Sequence, residues 1–332
     1  MKRNGQGGRR VRTAAAALPV LAFTCGDPAG VGPRVAVAAL RDARVRRSCL
    51  PLAVGPRAVF VRAGWTPRLC PLLDLGSCGR IPVGGPSAEG GRVSWLSVLR
   101  AFELCARGLA DGLVTAPVSK EAWRMAGAPY LDHTAALLDL SGAGRVAMML
   151  CAPAAPRPLR ATLVTRHVPY ARVPALLTRG ALREAAELTL ESLRRDLGLR
   201  RPRVGVCALN PHAGENGLLG DEERRLLLPA LRALRREGLP LEGPLPADAA
   251  WAAHAEGRFD ALLALYHDQA LIPLKLAARY GAVNWTLGLP FTRVSPMHGT
   301  AYDAARSGRI DPSGMIAAAV FAAEISSRKA RS

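Results

Sequence analysis

Residues 20–42 of this 332-residue chain have the sequence VLAFTCGDPAGVGPRVAVAALRD. The opening run of Val, Leu, Ala, Phe and Thr predicts a buried strand over Val20–Thr24. The glycines and prolines of residues 26–33 predict a tight turn, and the apolar spacing after it predicts a helix over Pro33–Asp42. A strand that passes through a glycine-rich turn into a helix is the repeating unit of α/β proteins.

Short apolar runs alternate with helical patterns along the rest of the chain, which predicts an α/β fold with mostly parallel sheets. The other predicted strands are Gly112–Thr115, Val146–Leu150, Leu159–Thr165, Arg203–Ala208, Ala261–Leu265 and Val283–Leu287. The other predicted helices are Trp95–Gly108, Val173–Leu197, Asp221–Glu237 and Ser313–Ser327. The stretch Ile81–Arg92 is rich in Gly, Pro and Ser, which predicts a loop.

The composition, 49% hydrophobic and 21% charged, is typical of a globular protein. A net charge of +19 would suggest nucleic acid as a partner, but only four of the 45 basic residues are lysines and the arginines are spread through helical stretches. We therefore expect no nucleic-acid partner. No apolar run is long enough to span a bilayer, so we expect no membrane partner either. Seven cysteines without CxxC pairs indicate a reducing, cytoplasmic location, and residues 1–13 are expected to form a disordered basic tail.

Five of the six histidines stand beside polar residues that this chain otherwise uses sparingly. They occur in Asp132-His133-Thr134, Thr165-Arg166-His167, Asn210-Pro211-His212-Ala213-Gly214-Glu215, Tyr266-His267-Asp268-Gln269 and His298-Gly299-Thr300. His254 lies in an alanine-rich helical context and is expected to have no functional role.

Three of these histidines, His167, His212 and His267, follow predicted strands by two to four residues. The carboxyl ends of strands line the ligand crevice of α/β sheets, so the three imidazoles could bind a divalent metal and leave one position open. Zinc or a similar transition metal suits three nitrogen ligands better than magnesium does. The alternative is that each histidine caps its loop by hydrogen bonds, but three together favour a metal site.

Basic and amide side chains close to these motifs indicate an anion site. Lys275 lies eight residues past His267, and Asn284 and Arg293 follow within the next 18 residues. Arginine can hold a phosphate through two parallel hydrogen bonds, and lysine adds a point charge. A small phosphorylated substrate is therefore expected.

Five motifs, taken in order, resemble the 4-hydroxythreonine-4-phosphate dehydrogenase family, over residues from about 20 to 327. The motifs are Gly26-Asp27-Pro28-Ala29-Gly30-Val31-Gly32-Pro33, Thr115-Ala116-Pro117-Val118-Ser119-Lys120, Asn210–Glu215, Tyr266–Gln269 and Asn284-Trp285-Thr286-Leu287-Gly288-Leu289-Pro290. The resemblance implies two α/β/α domains like those of isocitrate and isopropylmalate dehydrogenases, with the active site in the interdomain cleft. One domain would comprise residues 14–135 and 286–330, and the middle domain residues 136–285. It also implies a homodimer whose sites combine residues from both subunits.

By position, the resemblance also implies roles for individual residues. The implied metal ligands are His167, His212 and His267, for zinc, magnesium or cobalt. The implied substrate contacts are His133, Thr134, Lys275, Asn284 and Arg293. The implied contacts to NAD or NADP are Gly288, Pro290, His298, Gly299, Thr300 and Asp303. His212, Lys275 and Asp268 are the expected catalytic residues.

The reaction that the resemblance implies is oxidation of the C3 hydroxyl of 4-phosphohydroxy-L-threonine, followed by loss of carbon dioxide to give 3-amino-2-oxopropyl phosphate. Two alternatives stay open: the same chemistry on threonate or erythronate 4-phosphate, and a binding protein that has lost catalysis. Four positions depart from the family's usual motifs and bear on that choice: Arg34, Asp132, Ala135 and Met297.

Overall fold

The structure of the chain is a computed structural model, and it describes residues 18–329. The predicted basic tail, residues 1–13, lies outside the described residues. Eleven strands form one continuous sheet in the order β3-β2-β1-β4-β11-β10-β5-β6-β9-β7-β8. The strands are β1 Val20–Thr24, β2 Leu50–Gly55, β3 Leu72–Asp74, β4 Gly112–Val114, β5 Ala147–Ala152, β6 Leu159–Leu163, β7 Val204–Cys207, β8 Leu241–Leu245, β9 Ala261–Ala264, β10 Val283–Leu287 and β11 Thr292–Pro296.

Seven of the ten neighbouring strand pairs are parallel, which confirms the predicted α/β fold with a mostly parallel sheet. The three antiparallel pairs are consecutive: β11 with β10, β10 with β5, and β5 with β6. Because the direction reverses three times, β1–β4 and β11 run opposite to β6–β9. The carboxyl ends of these two groups therefore lie at opposite edges of the sheet. The predicted domain boundaries stay a prediction.

The helices occupy most of the chain between the strands. They are α1 Gly32–Arg41, α2 Ala43–Ser48, α3 Arg57–Arg62, α4 Ala88–Ala106, α5 Lys120–Met125, α6 His133–Ser141, α7 Val173–Leu176, α8 Arg179–Arg195, α9 Leu228–Arg236, α10 Ala247–Ala255, α11 His267–Ala278, α12 Tyr302–Ser307 and α13 Ser313–Lys329. The largest core cluster joins the strands to α1, α8 and α13, through Phe23, Trp285, Leu40, Leu193 and Phe321 among others. Within residues 18–329, no helix is both long and apolar enough to cross a membrane.

Two of the predicted elements are wrong, for local reasons. The loop expected over Ile81–Arg92 ends early, because Ser87 caps α4 by accepting a hydrogen bond from the Gly90 amide. A side chain at Gly91 would place its Cβ 1.9 Å from a carbonyl oxygen of α5, so this glycine allows close helix packing. The single helix expected over Val173–Leu197 is two helices, α7 and α8, because Thr178 caps α8 through the Ala181 amide.

Four strands were not predicted from the sequence: β2, β3, β8 and β11. The most consequential is β11, which has the sequence TRVSP and is buried along its whole length. Arginine, serine and proline are unusual in a central strand, so the sequence pattern does not predict a strand here. This strand nevertheless lies between β4 and β10 and carries Arg293 into the interior.

Candidate active site

Three of the predicted site histidines follow strands that are parallel neighbours in the sheet. His167 follows β6, His267 follows β9 and His212 follows β7, and these strands are adjacent in the order β6-β9-β7. Their carboxyl ends therefore share one edge of the sheet, as expected. His167 and His267 arise from neighbouring strands, which are spaced about 4.8 Å apart. The strand before His212 lies on the far side of β9, one strand further from His167.

His167 and His267 lie side by side, with their ring centroids 5.4 Å apart. Nδ1 of His267 lies 2.6 Å from Oδ1 of Asp268. A carboxylate on Nδ1 fixes the ring orientation and leaves Nε2 available to bind a metal. Burial, followed by the nearby Lys120 and His267, lowers the pKa of His167, so its imidazole is neutral at pH 7 and able to act as a ligand.

His212 lies in a turn, Pro211–Gly217, whose residues 212–216 all have left-handed backbone conformations. Four of these five residues are not glycine, and left-handed geometry costs each of them about 1–2 kcal/mol. The buried carboxylate of Glu223 holds the base of the turn. It accepts hydrogen bonds from the backbone amides of Leu209 and Asn210, both at 2.8 Å, and from Nδ2 of Asn210 at 2.9 Å.

The structure joins two of the three predicted metal ligands and leaves the third apart. Across residues 18–329, no group of three or more His, Cys, Asp or Glu side chains is close enough together to hold a metal ion. His167 and His267 fit a metal site as a pair, and His212 does not complete the set within one chain.

A pocket of about 310 Å³ adjoins His167 on the side of α6. Its polar lining consists of Lys120, Asp132, Thr134, Arg166 and His167. Lys120 and Arg166 have no assigned role in the sequence-based prediction, although the rarity of lysine in this chain singles out Lys120. Nζ of Lys120 lies 3.6 Å from Oδ2 of Asp132.

Asp132 and Ala135, two of the departures from the family's motifs, form the start of α6. Oδ1 of Asp132 accepts a hydrogen bond of 3.0 Å from the Ala135 amide, which caps the helix. This helix start presents His133 and Thr134 to the site. The changed Asp132 thus has a defined structural role.

His133 and Arg293 lie deeper in the protein, and neither has its polar atoms fully paired. Nε2 of His133 and Nε of Arg293 are inaccessible to solvent and have no hydrogen-bond partner in the protein. His133 packs edge-on against Trp123, with ring centroids 5.3 Å apart. Burial, with the neighbouring charge of Arg293, lowers the pKa of His133 well below 6.5, so this imidazole is neutral.

Arg293 is 2% exposed and projects from the centre of the sheet. Its two terminal nitrogens donate to the hydroxyls of Thr286 at 3.0 Å and Thr115 at 2.8 Å. Within residues 18–329 no carboxylate forms an ion pair with it, and burial lowers its pKa to about 10. A buried, unpaired guanidinium is costly unless an anion binds beside it.

Orphaned polar atoms are concentrated among the predicted ligand contacts. In the described part of the chain, seven buried side-chain nitrogen or oxygen atoms have no hydrogen-bond partner. Four of them belong to predicted substrate or nucleotide contacts: His133, Asn284, Arg293 and His298. Because buried polar groups are normally paired, these four atoms are candidates for contact with a polar ligand.

A second pocket, of about 500 Å³, contains the remaining predicted substrate residue. It is lined by Lys275, Arg279, Tyr280, Ala282, Met297 and His298, none of which lines the α6 pocket. Lys275 lies about 12 Å along α11 from His267, since each helical residue rises about 1.5 Å. Met297, the third departure, is therefore part of a pocket wall.

The predicted nucleotide contacts fall into two groups. His298, Gly299, Thr300 and Asp303 follow the carboxyl end of β11, beside the glycine-rich turn that follows β1. Gly288 and Pro290 lie in the turn before β11, at its other end, about 16 Å away by the length of the strand. The structure does not bring these groups together.

Hydrogen bonds describe the surroundings of two other residues named in the sequence analysis. Both ring nitrogens of His254 are bonded, Nδ1 to the Phe259 carbonyl at 2.9 Å and Nε2 to the Arg160 amide at 2.8 Å, so this imidazole links neighbouring backbone segments. Nη2 of Arg34, the fourth departure, donates to the Gly308 carbonyl at 2.7 Å.

Comparison with known proteins identifies the family of this chain. The family model for the pyridoxal phosphate biosynthetic protein PdxA matches residues 53–322. The 4-hydroxythreonine-4-phosphate dehydrogenase of Geobacter metallireducens is 42% identical over 92% of this chain and 95% of its own length. The enzyme of the same name from Paracoccus denitrificans is 41% identical over 94% of this chain and 99% of its own length.

Solved structures agree with the sequence relatives. A 4-hydroxythreonine-4-phosphate dehydrogenase from Klebsiella pneumoniae is 32% identical and superposes with a TM-score of 0.82, over 94% of this chain and 99% of that chain. One from Burkholderia phymatum is 37% identical with a TM-score of 0.78, over 93% of this chain and 98% of that chain. The chain therefore belongs to the PdxA family of 4-hydroxythreonine-4-phosphate dehydrogenases.

Proposed function

We propose that this protein oxidises and decarboxylates 4-phosphohydroxy-L-threonine to 3-amino-2-oxopropyl phosphate, with NAD or NADP as the hydride acceptor, in the cytoplasm. The observation that carries the proposal is Arg293, a buried cation with no carboxylate partner among the described residues. A phosphate dianion matches its charge and its fork of donors. The sequence relatives, which this chain matches over nearly their whole length, are named 4-hydroxythreonine-4-phosphate dehydrogenase. Their name supports the same substrate.

Substrate binding is assigned to residues at the start of α6 and in β10 and β11. Arg293 would hold the phosphate, and Thr134, which lines the α6 pocket, would contact the substrate. His133 is neutral, so it offers one N–H donor without adding charge. The free Oδ1 of Asn284 would accept from a hydroxyl or ammonium group of the substrate.

His167 and His267, completed by His212, would hold the divalent metal, with zinc favoured by three nitrogen donors. The chemistry that such a metal supplies when bound is Lewis-acid polarisation of the substrate oxygen. Asp268 orients His267 through its contact at Nδ1. Lys275 is assigned as a proton carrier, because its amine lines the second pocket together with His298.

We also propose that the active unit is a homodimer in which residues from two chains form each site. The support is the separation of His212 from the His167–His267 pair. Further support is the exposed apolar side chains on the elements that carry site residues. They are Ile272 and Leu276 of α11, Tyr280 just after it, and Leu218 and Leu219 after the His212 turn.

The nucleotide is assigned to the loop His298–Ala301 and the start of α12, where Gly299, Ala301 and Asp303 are exposed. Gly288 and Pro290 are left out of this assignment because they lie at the other end of β11. The seven cysteines, all of them free thiols, are consistent with the proposed reducing compartment.

The test is NAD(P)H formation by the purified protein, followed by absorbance, with and without zinc, magnesium or a chelator. The substrates are 4-phosphohydroxy-L-threonine, threonate 4-phosphate and erythronate 4-phosphate. We expect metal-dependent turnover of the first substrate and its loss in His212→Ala. Turnover of only a sugar-acid phosphate would replace the proposed substrate, and a folded, metal-loaded protein silent with all three would indicate a protein that has lost catalysis.

A further inference from the structure

Asp27, in the glycine-rich turn after β1, is a completely buried carboxylate. No lysine, arginine or histidine of residues 18–329 forms an ion pair with it. Its Oδ1 accepts a hydrogen bond of 2.9 Å from the Ala29 amide, and its Oδ2 accepts one of 2.7 Å from the hydroxyl of Tyr302. Burial raises the pKa of Asp27, as expected for a carboxylate whose partners are neutral.

Gly90, at the start of α4, makes room for this carboxylate. A Cβ at that position would lie 2.9 Å from Oδ1 of Asp27. The neighbouring helix thus approaches the carboxylate so closely that only glycine fits. The position of Asp27 is therefore set by packing on three sides: its own turn, α4 and Tyr302.

Tyr302 is the first residue of α12 and follows the loop His298–Ala301 directly. The same loop contacts the β1 turn a second time, because the Val31 amide donates to the Thr300 carbonyl at 2.9 Å. A Cβ at Gly30 would lie 2.5 Å from that carbonyl oxygen, so the approach requires glycine. Ala301, between the two contacts, has a left-handed φ of 47°, which the loop does not adopt without support.

We propose that the Tyr302 hydroxyl and the Asp27 carboxylate form a tie that holds the loop His298–Ala301 in its nucleotide-binding conformation. Tyr302 is then a positioning residue for the nicotinamide dinucleotide. The inference rests on the proposed function, because that function assigns the nucleotide to this loop. Tyr302 and Asp27 line neither the α6 pocket nor the Lys275 pocket. Loss of the tie should therefore affect nucleotide binding and leave substrate binding nearly unchanged.

The physical basis of the tie is the strength of a hydrogen bond to a buried carboxylate. Such bonds are about twice as strong as neutral ones, and their loss leaves a buried charge with one fewer donor. Burial also raises the pKa of Tyr302 to about 12, so the phenol keeps its proton and donates at every working pH. Without the hydroxyl, the left-handed Ala301 would lose one of its two anchors.

The experiment compares Tyr302→Phe with the wild-type enzyme. We expect the KM for NAD to rise about tenfold, with the KM for the phosphorylated substrate changed by less than about twofold. Amide hydrogen exchange of residues 298–302 should accelerate in the variant. Tyr130→Phe is the matched control, because it removes another tyrosine–aspartate hydrogen bond, to Asp139, at an exposed position. It should leave both KM values and the exchange of this loop unchanged.

Asp27→Asn provides the second variant, and it keeps the side-chain shape while removing the charge. If the two residues act as one tie, Asp27→Asn/Tyr302→Phe should raise the KM for NAD no further than the more affected single variant. Additive effects of the two substitutions would overturn the tie. Unchanged KM for NAD and unchanged loop exchange in Tyr302→Phe would overturn it as well.

A failure of the proposed function would look different. A folded wild-type protein that oxidises no substrate would refute the proposed reaction, while amide exchange and titration with NADH, read by fluorescence, still test the tie. Faster exchange and about tenfold weaker NADH binding in Tyr302→Phe would support it. Equal exchange and equal NADH binding in the two proteins would overturn it.

Discussion

Arg293 and His133, which we call the Arg293 cluster, differ from the turn that carries His212 in how their buried polar atoms are paired. In the turn, the carboxylate of Glu223 accepts three hydrogen bonds, and none of the seven orphaned polar atoms of residues 18–329 lies in Leu209–Glu223. In the Arg293 cluster, Nε of the guanidinium and Nε2 of the imidazole have no hydrogen-bond partner among the described residues. The polar atoms of the turn are paired within the protein, whereas those of the cluster are free to pair with the proposed phosphate.

The two regions therefore differ in what the proposed function asks of them. A bound phosphate would pair the free atoms of the Arg293 cluster, so their cost in the free protein would be recovered as affinity in the complex. The His212 turn instead holds a strained backbone, with four non-glycine residues in left-handed geometry. That backbone fixes the position of the His212 imidazole, and under the proposed function its partner ligands come from a second chain.

Replacing the unpaired cation should have the largest effect. Arg293→Met is expected to lower kcat/KM on the order of 10³-fold, because the phosphate would lose its buried partner. The folded protein should not lose stability in proportion, since removing a buried unpaired charge offsets the lost hydrogen bonds to Thr286 and Thr115. Steady-state kinetics and thermal melts of the same preparation measure the two effects.

Arg293→Lys is the control that keeps the positive charge but removes the paired N–H donors of the guanidinium. It should recover part of the activity of Arg293→Met, because lysine restores a point charge but not two parallel hydrogen bonds. Equal activity of wild type and Arg293→Met would refute the assignment of the phosphate to Arg293.

The second prediction tests whether His212 works with histidines of another chain. Two inactive variants, His212→Ala and His267→Ala, are refolded together in equal amounts. If His212 meets the His167–His267 pair of a second chain, half of the dimers are mixed and each mixed dimer has one intact site. About a quarter of the wild-type activity should return.

The matched mixture pairs His167→Ala with His267→Ala. These rings lie 5.4 Å apart within one chain, so a mixed dimer of these variants has no intact site and should stay inactive. Activity in neither mixture would place all three ligands in one chain, contrary to the proposed sharing. Activity in both mixtures would show that His167 and His267 of one working site come from different chains.

Loosening the His212 turn should have a smaller effect. In Glu223→Ala the amides of Leu209 and Asn210 lose their buried acceptor, at a cost of about 1–3 kcal/mol. We expect kcat/KM to fall about tenfold to a hundredfold and amide exchange of residues 210–217 to accelerate. Glu222→Ala removes only one bond to the Asn210 side chain and is the control for a lesser loss. Equal exchange in Glu223→Ala and wild type would show that the turn needs no such anchor.

The three strands that precede His167, His212 and His267 could be predicted from the sequence. Each is a short, continuous apolar run that is followed by a polar motif. β6, β7 and β9 lie where expected within a few residues, and their shared edge follows from parallel pairing. β11 was not predictable in this way. Its strand character comes from burial between β4 and β10, and a buried arginine has the same sequence signal as an exposed one.

The site was predictable as a set of residues but not as a geometry. The polar motifs name His133, Asn284 and Arg293, and the structure adds that all three have orphaned buried atoms. Nothing in the spacing of Gly288 and His298 shows that a whole strand separates them, because β11 was not recognised. The tie between Asp27 and Tyr302 joins residues 275 positions apart, a distance that local pattern cannot bridge.

The last prediction concerns pH and tests whether the Arg293 cluster is as poorly solvated as its orphaned atoms indicate. Burial lowers the pKa of His133 well below 6.5. Between this lowered pKa and 6.5, the unfolded chain binds a proton that the folded chain does not. Stability therefore rises with pH in that window and is constant, for this residue, above about pH 6.5.

His133→Asn should flatten the slope of unfolding free energy below about pH 6.5 by up to about 1.4 kcal/mol per pH unit. His254, whose pKa is also lowered by burial, keeps its share of the slope in both proteins. Urea unfolding at a series of pH values measures the slope. If wild type and His133→Asn have the same slope, His133 is solvated in the folded protein, and the contrast between the Arg293 cluster and the His212 turn does not hold for this residue.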